Sequence, residues 1–149
     1  MGVVSCVDIL RSRKLWIGSS SMGQMKEKYH YALANEVSVL PLTERSASIT
    51  EDIVRWCCQM MELEGLNIDL YLIDEYPLIK CCGDSDQKSD TDYTIRIYTG
   101  QSLRDFVATI THEMVHVEQW VKNEWSGDGE NEAEKRQYEL ADAYWKGWE

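Results

Sequence analysis

The sequence is poor in histidine, proline and basic residues, and it lacks any long apolar run. Its 149 residues include three histidines and two prolines, so no proline-rich linker divides the chain and one domain, residues 1–149, is expected. The chain has 15 Lys and Arg residues and 26 Asp and Glu residues, which gives a net charge of −11. This acidic balance argues against binding to nucleic acid or to anionic membranes. No apolar stretch reaches the roughly 18 residues that span a bilayer, and no signal peptide is evident, which favours a cytoplasmic protein.

Cysteine usage is also unlike that of a secreted scaffold. The chain has five cysteines, and four of them form the adjacent pairs Cys57–Cys58 and Cys81–Cys82. An odd number with adjacent pairs rarely builds a regular disulfide framework. We therefore expect reduced thiols.

In the middle of the chain, apolar residues recur with a clear period, whereas the pattern in residues 1–45 does not distinguish strand from helix. Ser48 and Glu51 can form a capping box, and apolar residues recur at helical spacing from Ile49 to Leu63, until Gly65. Alternation of apolar residues with Asn67, Asp69 and Tyr71 then predicts a strand from Leu66 to Leu72. These patterns indicate a helix that backs a sheet.

A second strand is predicted from Tyr93 to Tyr98, and its half-polar alternation favours a place near a sheet edge. The acidic stretch before it, residues 81–92, is interpreted as a solvated turn. It lacks the glycine and glutamate that a calcium-binding EF-hand loop needs at its sixth and twelfth positions.

Two further helices are predicted in the last third of the chain. Ser102 and Asp105 form a capping box before a helix from Leu103 to about Trp125, and a glycine-containing break precedes a helix from Glu130 onward. On a helical wheel, a stripe about 100° wide collects the apolar residues Leu103, Phe106, Val107, Ile110, Met114, Val117 and Val121. The opposite side of this helix carries His112 and His116.

The first of these helices contains the pattern H-E-x-x-H, formed by His112, Glu113 and His116. Residues four apart on a helix point the same way, so both imidazoles can reach one Zn²⁺ ion. Glu113 then lies at the edge of the site, beside a water held in the open fourth position. The pattern predicts a catalytic zinc site with one ion per chain.

The last helix offers a third ligand. Glu130 shares the apolar packing face of this helix, where a carboxylate is unfavourable unless it is paired or bound to metal. Glu132 points about 200° away and is kept as the alternative ligand, while Glu134, one turn beyond Glu130, is expected to orient a ligating histidine. The tryptophans at 120, 125, 145 and 148 are expected to hold the last two helices together rather than bind a ligand.

The segment from Thr111 to Glu134 resembles the gluzincin branch of the zincin metallopeptidases, and small uncharacterised bacterial and phage-encoded proteins with an HEMVH-type helix. In that branch a second helix donates a glutamate in an E-x-x-A-[DEN] or E-x-E-A setting, which Glu130, Ala133 and Glu134 or Glu130, Glu132 and Ala133 match. An alternative alignment, on an N-E-A motif formed by Asn131, Glu132 and Ala133, makes Glu132 the ligand instead. The resemblance implies a zincin-like α+β fold: a small antiparallel or mixed sheet, a backing helix, the HExxH helix and a carboxyl-terminal glutamate helix, with the catalytic core in residues 46–149.

The resemblance also implies peptide-bond hydrolysis. Glu113 would act as general base toward a metal-activated water, whose pKa falls toward about 7 on zinc. A peptide or protein substrate would lie antiparallel to the predicted edge strand, whose members are Tyr93, Thr94, Ile95, Arg96, Ile97 and Tyr98.

Two other functions are compatible with the motif. One is a zincin-fold binding module that holds zinc without turnover. The intact Glu113 argues against it, because a structural site needs no general base. The other is a deformylase-like amidohydrolase, whose third ligand is a cysteine upstream of the histidine pair. Cys81 and Cys82 lie upstream of His112.

Overall fold

A computed structural model describes residues 29–75, 82–125 and 127–146. Within these ranges the protein has a mixed α+β fold of four helices and one four-stranded sheet. The elements in chain order are α1 (His30–Leu33), β1 (Glu36–Leu40), α2 (Ala47–Met61), β2 (Asn67–Ile73), β3 (Gly83–Gln87), β4 (Asp92–Tyr98), α3 (Leu103–Lys122) and α4 (Glu130–Lys146).

The sheet has the strand order β1-β2-β4-β3 and is mixed. Strands β1, β2 and β4 run parallel, and β3 pairs antiparallel with β4. Alternate residues of β2 and β4 are buried, namely Ile68, Leu70, Leu72, Tyr93, Ile95 and Ile97. The core therefore lies on one face of the sheet, under α2 and α3, as period-two burial requires.

The predicted helix after residue 45 is confirmed as α2, but its predicted capping box is wrong. Ser48 lies inside the helix, and the residue at the N-cap is Ser46, whose side chain makes no capping hydrogen bond. The helix ends at Glu62, which adopts a left-handed conformation with φ of 55°. Residues 29–40, left open by the sequence, contribute α1 and the strand β1, so this part of the chain belongs to the same sheet.

The predicted edge position of the strand Tyr93–Tyr98 is wrong. This strand, β4, is hydrogen-bonded to β2 on one side and to β3 on the other, so the antiparallel edge of the sheet is β3. The stretch interpreted as a solvated turn supplies that edge strand. Its true turn is confined to Lys88–Thr91, where the Ser89 hydroxyl accepts hydrogen bonds from the backbone N–H groups of Thr91 and Asp92.

Helix α3 begins at the predicted Leu103 and ends three residues before the predicted Trp125, and α4 begins at the predicted Glu130. The Ser102 side chain caps α3 by accepting a hydrogen bond from the backbone N–H of Asp105. Five members of the predicted apolar stripe are buried, whereas Leu103 and Val121, at the two ends of α3, are exposed. Helix α4 packs along α3, and its Tyr144 contacts Trp56 of α2.

None of the helices in the described residues is both long and apolar enough to cross a membrane.

Candidate metal centre

The histidines of the H-E-x-x-H pattern lie side by side on α3. The ring centroids of His112 and His116 are 5.0 Å apart, and their side chains are 15% and 10% exposed. This confirms the prediction that both imidazoles share one side of the helix. They are screened from solvent because α4 packs over this side of α3.

Glu130, the first residue of α4, faces both rings. Its Oε2 atom lies 3.2 Å from His112 Nε2, and its Oε1 atom lies 2.7 Å from His116 Nε2. The Asp128 side chain accepts a hydrogen bond from the backbone N–H of Glu130 and so fixes the start of the helix. One candidate ligand atom from each of the three residues lies within 4.8 Å of the others, so the predicted residues His112, His116 and Glu130 are brought together.

The orientation of His116 is fixed from behind by Gln119. Gln119 Oε1 lies 2.8 Å from His116 Nδ1, and Gln119 Nε2 donates to the Gly129 carbonyl and to Glu132 Oε1. Since the amide nitrogen has two acceptors, the amide oxygen must face the ring and accept from Nδ1–H. The other ring nitrogen, His116 Nε2, then faces Glu130.

His112 is supported in the same way from the other helix. Gln137 Oε1 lies 2.7 Å from His112 Nδ1, and the Gln137 backbone carbonyl accepts a hydrogen bond from Thr111. With Gln137 Oε1 as its acceptor, the ring of His112 also donates through Nδ1 and presents Nε2 to Glu130. In both rings Nδ1 has a glutamine oxygen as its partner and Nε2 faces the cluster, which is the arrangement of metal-bound histidines.

The predictions of Glu132 as the alternative ligand and of Glu134 as the group that orients a histidine are wrong. Glu132 is not a ligand, because its carboxylate accepts hydrogen bonds from Gln119 and from Arg136, which also contacts Glu118. Glu134 is exposed on the wall of the neighbouring cavity, and the acceptors next to the two histidines are glutamine oxygens instead.

Glu113 lies beside this cluster and is buried. Its Oε1 atom accepts a hydrogen bond of 2.8 Å from the Ser85 hydroxyl on β3. Burial raises the pKa of Glu113 above its usual range, and the Ser85 hydrogen bond and the nearby imidazoles act in the opposite direction. The carboxylate is thus held at a fixed point between α3 and the edge strand.

Glycine at position 83 permits the close approach of β3 to α3. A Cβ atom there would lie 2.7 Å from Cγ2 of Thr109 and 2.9 Å from the carbonyl oxygen of Arg96. Because a side chain would force the edge strand away from the helix, Gly83 allows Ser85 to reach Glu113.

The donor atoms suit a zinc ion. Two neutral imidazole nitrogens and one carboxylate are the ligands of many catalytic zinc sites, and both imidazoles have the hydrogen-bonded second nitrogen that such ligands require. Cys82 is exposed on the cavity wall, and no group of metal-ligating atoms in the described residues includes it. A Cys82 ligand is therefore not supported, and Cys81 lies outside the described residues.

The strand predicted to bind substrate is not available for pairing. Residues from Tyr93 to Ile97 of β4 have partners in both β2 and β3, and pairing with β2 continues to Tyr98. The predicted substrate-binding role of Tyr93, Thr94, Ile95, Arg96, Ile97 and Tyr98 through a free strand edge is therefore wrong. The edge strand β3 lies next to the cluster instead.

Two cavities meet at the cluster, and His112, Glu113 and Glu130 line both. The larger, of about 880 Å³, extends toward the start of α3 and is also lined by Gln101, Ser102, Asp105, Glu134, Gln137 and Tyr138. The smaller, of about 310 Å³, extends toward the end of α3 and is also lined by Ser85, His116, Trp120 and Trp125. Trp120 and Trp125 line this cavity and contact each other, and the expectation that they serve packing rather than ligand binding stays a prediction.

Sequence reasoning missed Ser85, Gln119 and Gln137. Gln119 follows His116 by three residues, so its place on the same side of α3 was a usable signal. Ser85 had no such signal, because its contact with Glu113 depends on the pairing of β3 with β4.

No protein-family model, curated protein or solved structure matches this chain.

Proposed function

We propose that this protein is a zinc-dependent peptidase of the zincin type, with a gluzincin-like ligand set. The observation that carries the proposal is the convergence of His112 Nε2, His116 Nε2 and a Glu130 carboxylate oxygen beside the buried carboxylate of Glu113. His112, His116 and Glu130 would hold the ion. When bound, zinc would supply a Lewis acid that polarises a carbonyl and increases the acidity of water.

The ligand set favours catalysis over a purely structural role. Structural zinc sites have four protein ligands, whereas the described residues bring three together and leave cavities of about 880 and 310 Å³ against them. An open position next to a cleft is what a hydrolytic site requires.

Glu113 would act as the general base. Its side chain is on the same helix as the two histidines and faces the cluster from the β3 side, held by Ser85. It would accept a proton from the attacking water and later donate that proton to the leaving amine. Ser85 would keep the carboxylate in the required orientation.

An extended peptide would bind along the edge strand β3. Gly83, Asp84 and Ser85 line the cavity that contains the cluster, and β3 is the last strand on its side of the sheet. Addition of a peptide to such an edge provides main-chain hydrogen bonds without regard to side chains. This replaces β4 as the strand that orients the substrate.

The decisive experiment compares Glu113→Gln with wild type and with Glu139→Gln, a matched change on an exposed part of α4. Each protein is loaded with zinc, its metal content is measured, and it is incubated with a peptide library analysed by mass spectrometry. We expect about one zinc per chain in all three, cleavage by wild type and Glu139→Gln, and loss of cleavage in Glu113→Gln. Unchanged cleavage by Glu113→Gln would exclude Glu113 as the base, and a zinc-loaded wild type that cleaves no peptide would favour the binding module.

A further inference from the structure

Trp125 is a tryptophan with an exposed face beside the candidate metal centre. Its exposed fraction is 45%, whereas Trp56 is buried and Trp120 and Trp145 are half-buried, so it is the one exposed tryptophan among the described residues. Single exposed apolar side chains are common at protein surfaces, but Trp125 also lines the smaller cavity that contains the cluster, which is a reason to consider it for binding.

The Trp125 ring rests on other aromatic rings. It packs edge-on against Trp120, with ring centroids 6.0 Å apart. Trp120 in turn lies 6.0 Å from the Tyr93 ring and 6.4 Å from the His116 ring. This stack, which begins in the core at Tyr93, gives the exposed indole a firm support.

Both indoles line the smaller cavity, which also contains the cluster residues. At about 310 Å³, this cavity is at the lower end of the size range of ligand pockets, so it suits one large side chain rather than a whole peptide. Gly83, Asp84 and Ser85 of β3 also line this cavity. An aromatic side chain placed here would contact the indoles while its backbone lies beside the edge strand.

The direction of β3 decides which substrate residue reaches this cavity. Of the two cavities that meet at the cluster, Cys82 lines the larger, Gly83 lines both, and Asp84 and Ser85 line the smaller. Strand β3 therefore runs from the larger cavity into the smaller. A peptide that pairs antiparallel with β3 runs the opposite way, with its amino-terminal part in the smaller cavity.

We infer that Trp120 and Trp125 form a subsite for an aromatic side chain on the amino-terminal side of the scissile bond. This inference rests on the proposed peptidase function for the position of the scissile bond, but not for the existence of the subsite. It assigns a substrate class, peptides with an aromatic residue just before the cleaved bond, and it names Trp125 as the main specificity determinant.

The first test measures binding without turnover. N-acetylphenylalaninamide and N-acetylalaninamide are titrated separately into the zinc-loaded full chain, and the indole N–H signals of Trp120 and Trp125, assigned by their loss in Trp120→Phe and Trp125→Phe, are followed by NMR. We expect the phenylalanine probe to bind about tenfold more tightly and to shift both signals. Followed through the Trp120 signal, Trp125→Ala should remove the preference and Trp125→Phe should retain most of it.

The matched control is Tyr71→Ala, which removes an aromatic ring of similar exposure from β2, away from both cavities. This variant should retain the preference. Equal binding of the two probes by wild type, or a preference that survives in Trp125→Ala, would overturn the subsite.

The second test measures orientation through cleavage products. In the peptide library, aromatic residues should be enriched at the new carboxyl ends made by wild type, and this enrichment should fall about tenfold in Trp125→Ala. Enrichment at the new amino ends would overturn the assigned side. If no peptide is cleaved, the peptidase proposal and the assigned side fail together, while the titrations still decide whether the aromatic subsite exists.

Discussion

The two histidines of the candidate metal centre are held by the same chemical group in two different ways. His116 is supported by Gln119 of its own helix, a buried side chain whose amide nitrogen is fixed by Gly129 and Glu132. His112 is supported by Gln137, which reaches across from α4. The Gln119 oxygen lies on the same helix as His116, and Gly129 and Glu132 lock its amide, whereas the Gln137 oxygen reaches His112 only where α4 is docked on α3.

The comparison shows how much of the site depends on α4. This helix supplies Glu130, Gln137 and Glu132, so one packing interface carries a candidate ligand and both routes of support. Gly129 contributes to the same interface, because its φ of +82° and its contact with Gln119 leave no room for a Cβ atom. The site is therefore a property of the α3–α4 interface more than of the H-E-x-x-H helix alone.

The largest difference is expected between Glu130→Ala and Glu132→Ala. Loss of Glu130 removes a ligand, so we expect zinc to bind at least about 100-fold more weakly, whereas loss of Glu132 removes only a group behind Gln119 and should weaken binding about tenfold. Competition with a chromophoric chelator measures both dissociation constants. Stronger weakening in Glu132→Ala than in Glu130→Ala would reverse the ligand assignment.

Gln119→Leu and Gln137→Leu compare the two supports directly. We expect about 100-fold weaker zinc binding in Gln119→Leu and about tenfold weaker binding in Gln137→Leu, because the former also removes the donor of the Gly129 carbonyl and of Glu132 Oε1. The chelator assay is repeated alongside thermal unfolding of the metal-free proteins. Equal loss in the two variants would show that the local network around Gln119 adds nothing to the orientation of His116.

Changing each glutamine to glutamate keeps an oxygen acceptor for the histidine and removes only the amide donors. Gln137→Glu should bind zinc within about threefold of wild type, because its acceptor atom toward His112 is retained. Gln119→Glu should lose about tenfold, because a second carboxylate would face Glu132. Similar affinities for the two glutamate variants would contradict the proposed role of the Gln119 amide nitrogen.

The smallest effect is expected at Arg136, which bridges Glu132 and Glu118. Arg136→Met should weaken zinc binding about threefold, since partly exposed ion pairs contribute up to about 1 kcal/mol. Lys122→Met is the matched control, because Lys122 pairs with Glu118 but not with Glu132. An equal response of the two variants would place Arg136 outside the support of His116.

The helices and the ligand cluster could be predicted because their signals are local. His112 and His116 are four residues apart on a strongly periodic helix, and Glu130 shares the packing face of the next helix. The same wheel correctly directed Glu132 away from Glu130, but it could not show that Gln119 occupies the intervening position. A hydrogen bond between helices depends on their distance, which periodicity does not contain.

The pairing of strands in the sheet, by contrast, could not be predicted from local patterns. Alternation in Tyr93–Tyr98 correctly predicts one buried face, but it carries no information about which strands pair along the two edges. Strand β3 has the sequence Gly-Asp-Ser-Asp-Gln, whose residues mostly have low strand propensity. It forms because β4 offers a partner, so both the edge strand and its contact between Ser85 and Glu113 were beyond local patterns.

Glu130 at the first position of α4 has a consequence for the proposed binding of metal during folding. A chain in which only α3 has formed presents two candidate ligands, and the third arrives when α4 docks and the turn at Asp128 and Gly129 closes. Tight zinc retention would then report completed tertiary structure, and a chelator would remove zinc first from molecules in which the last helix has come loose.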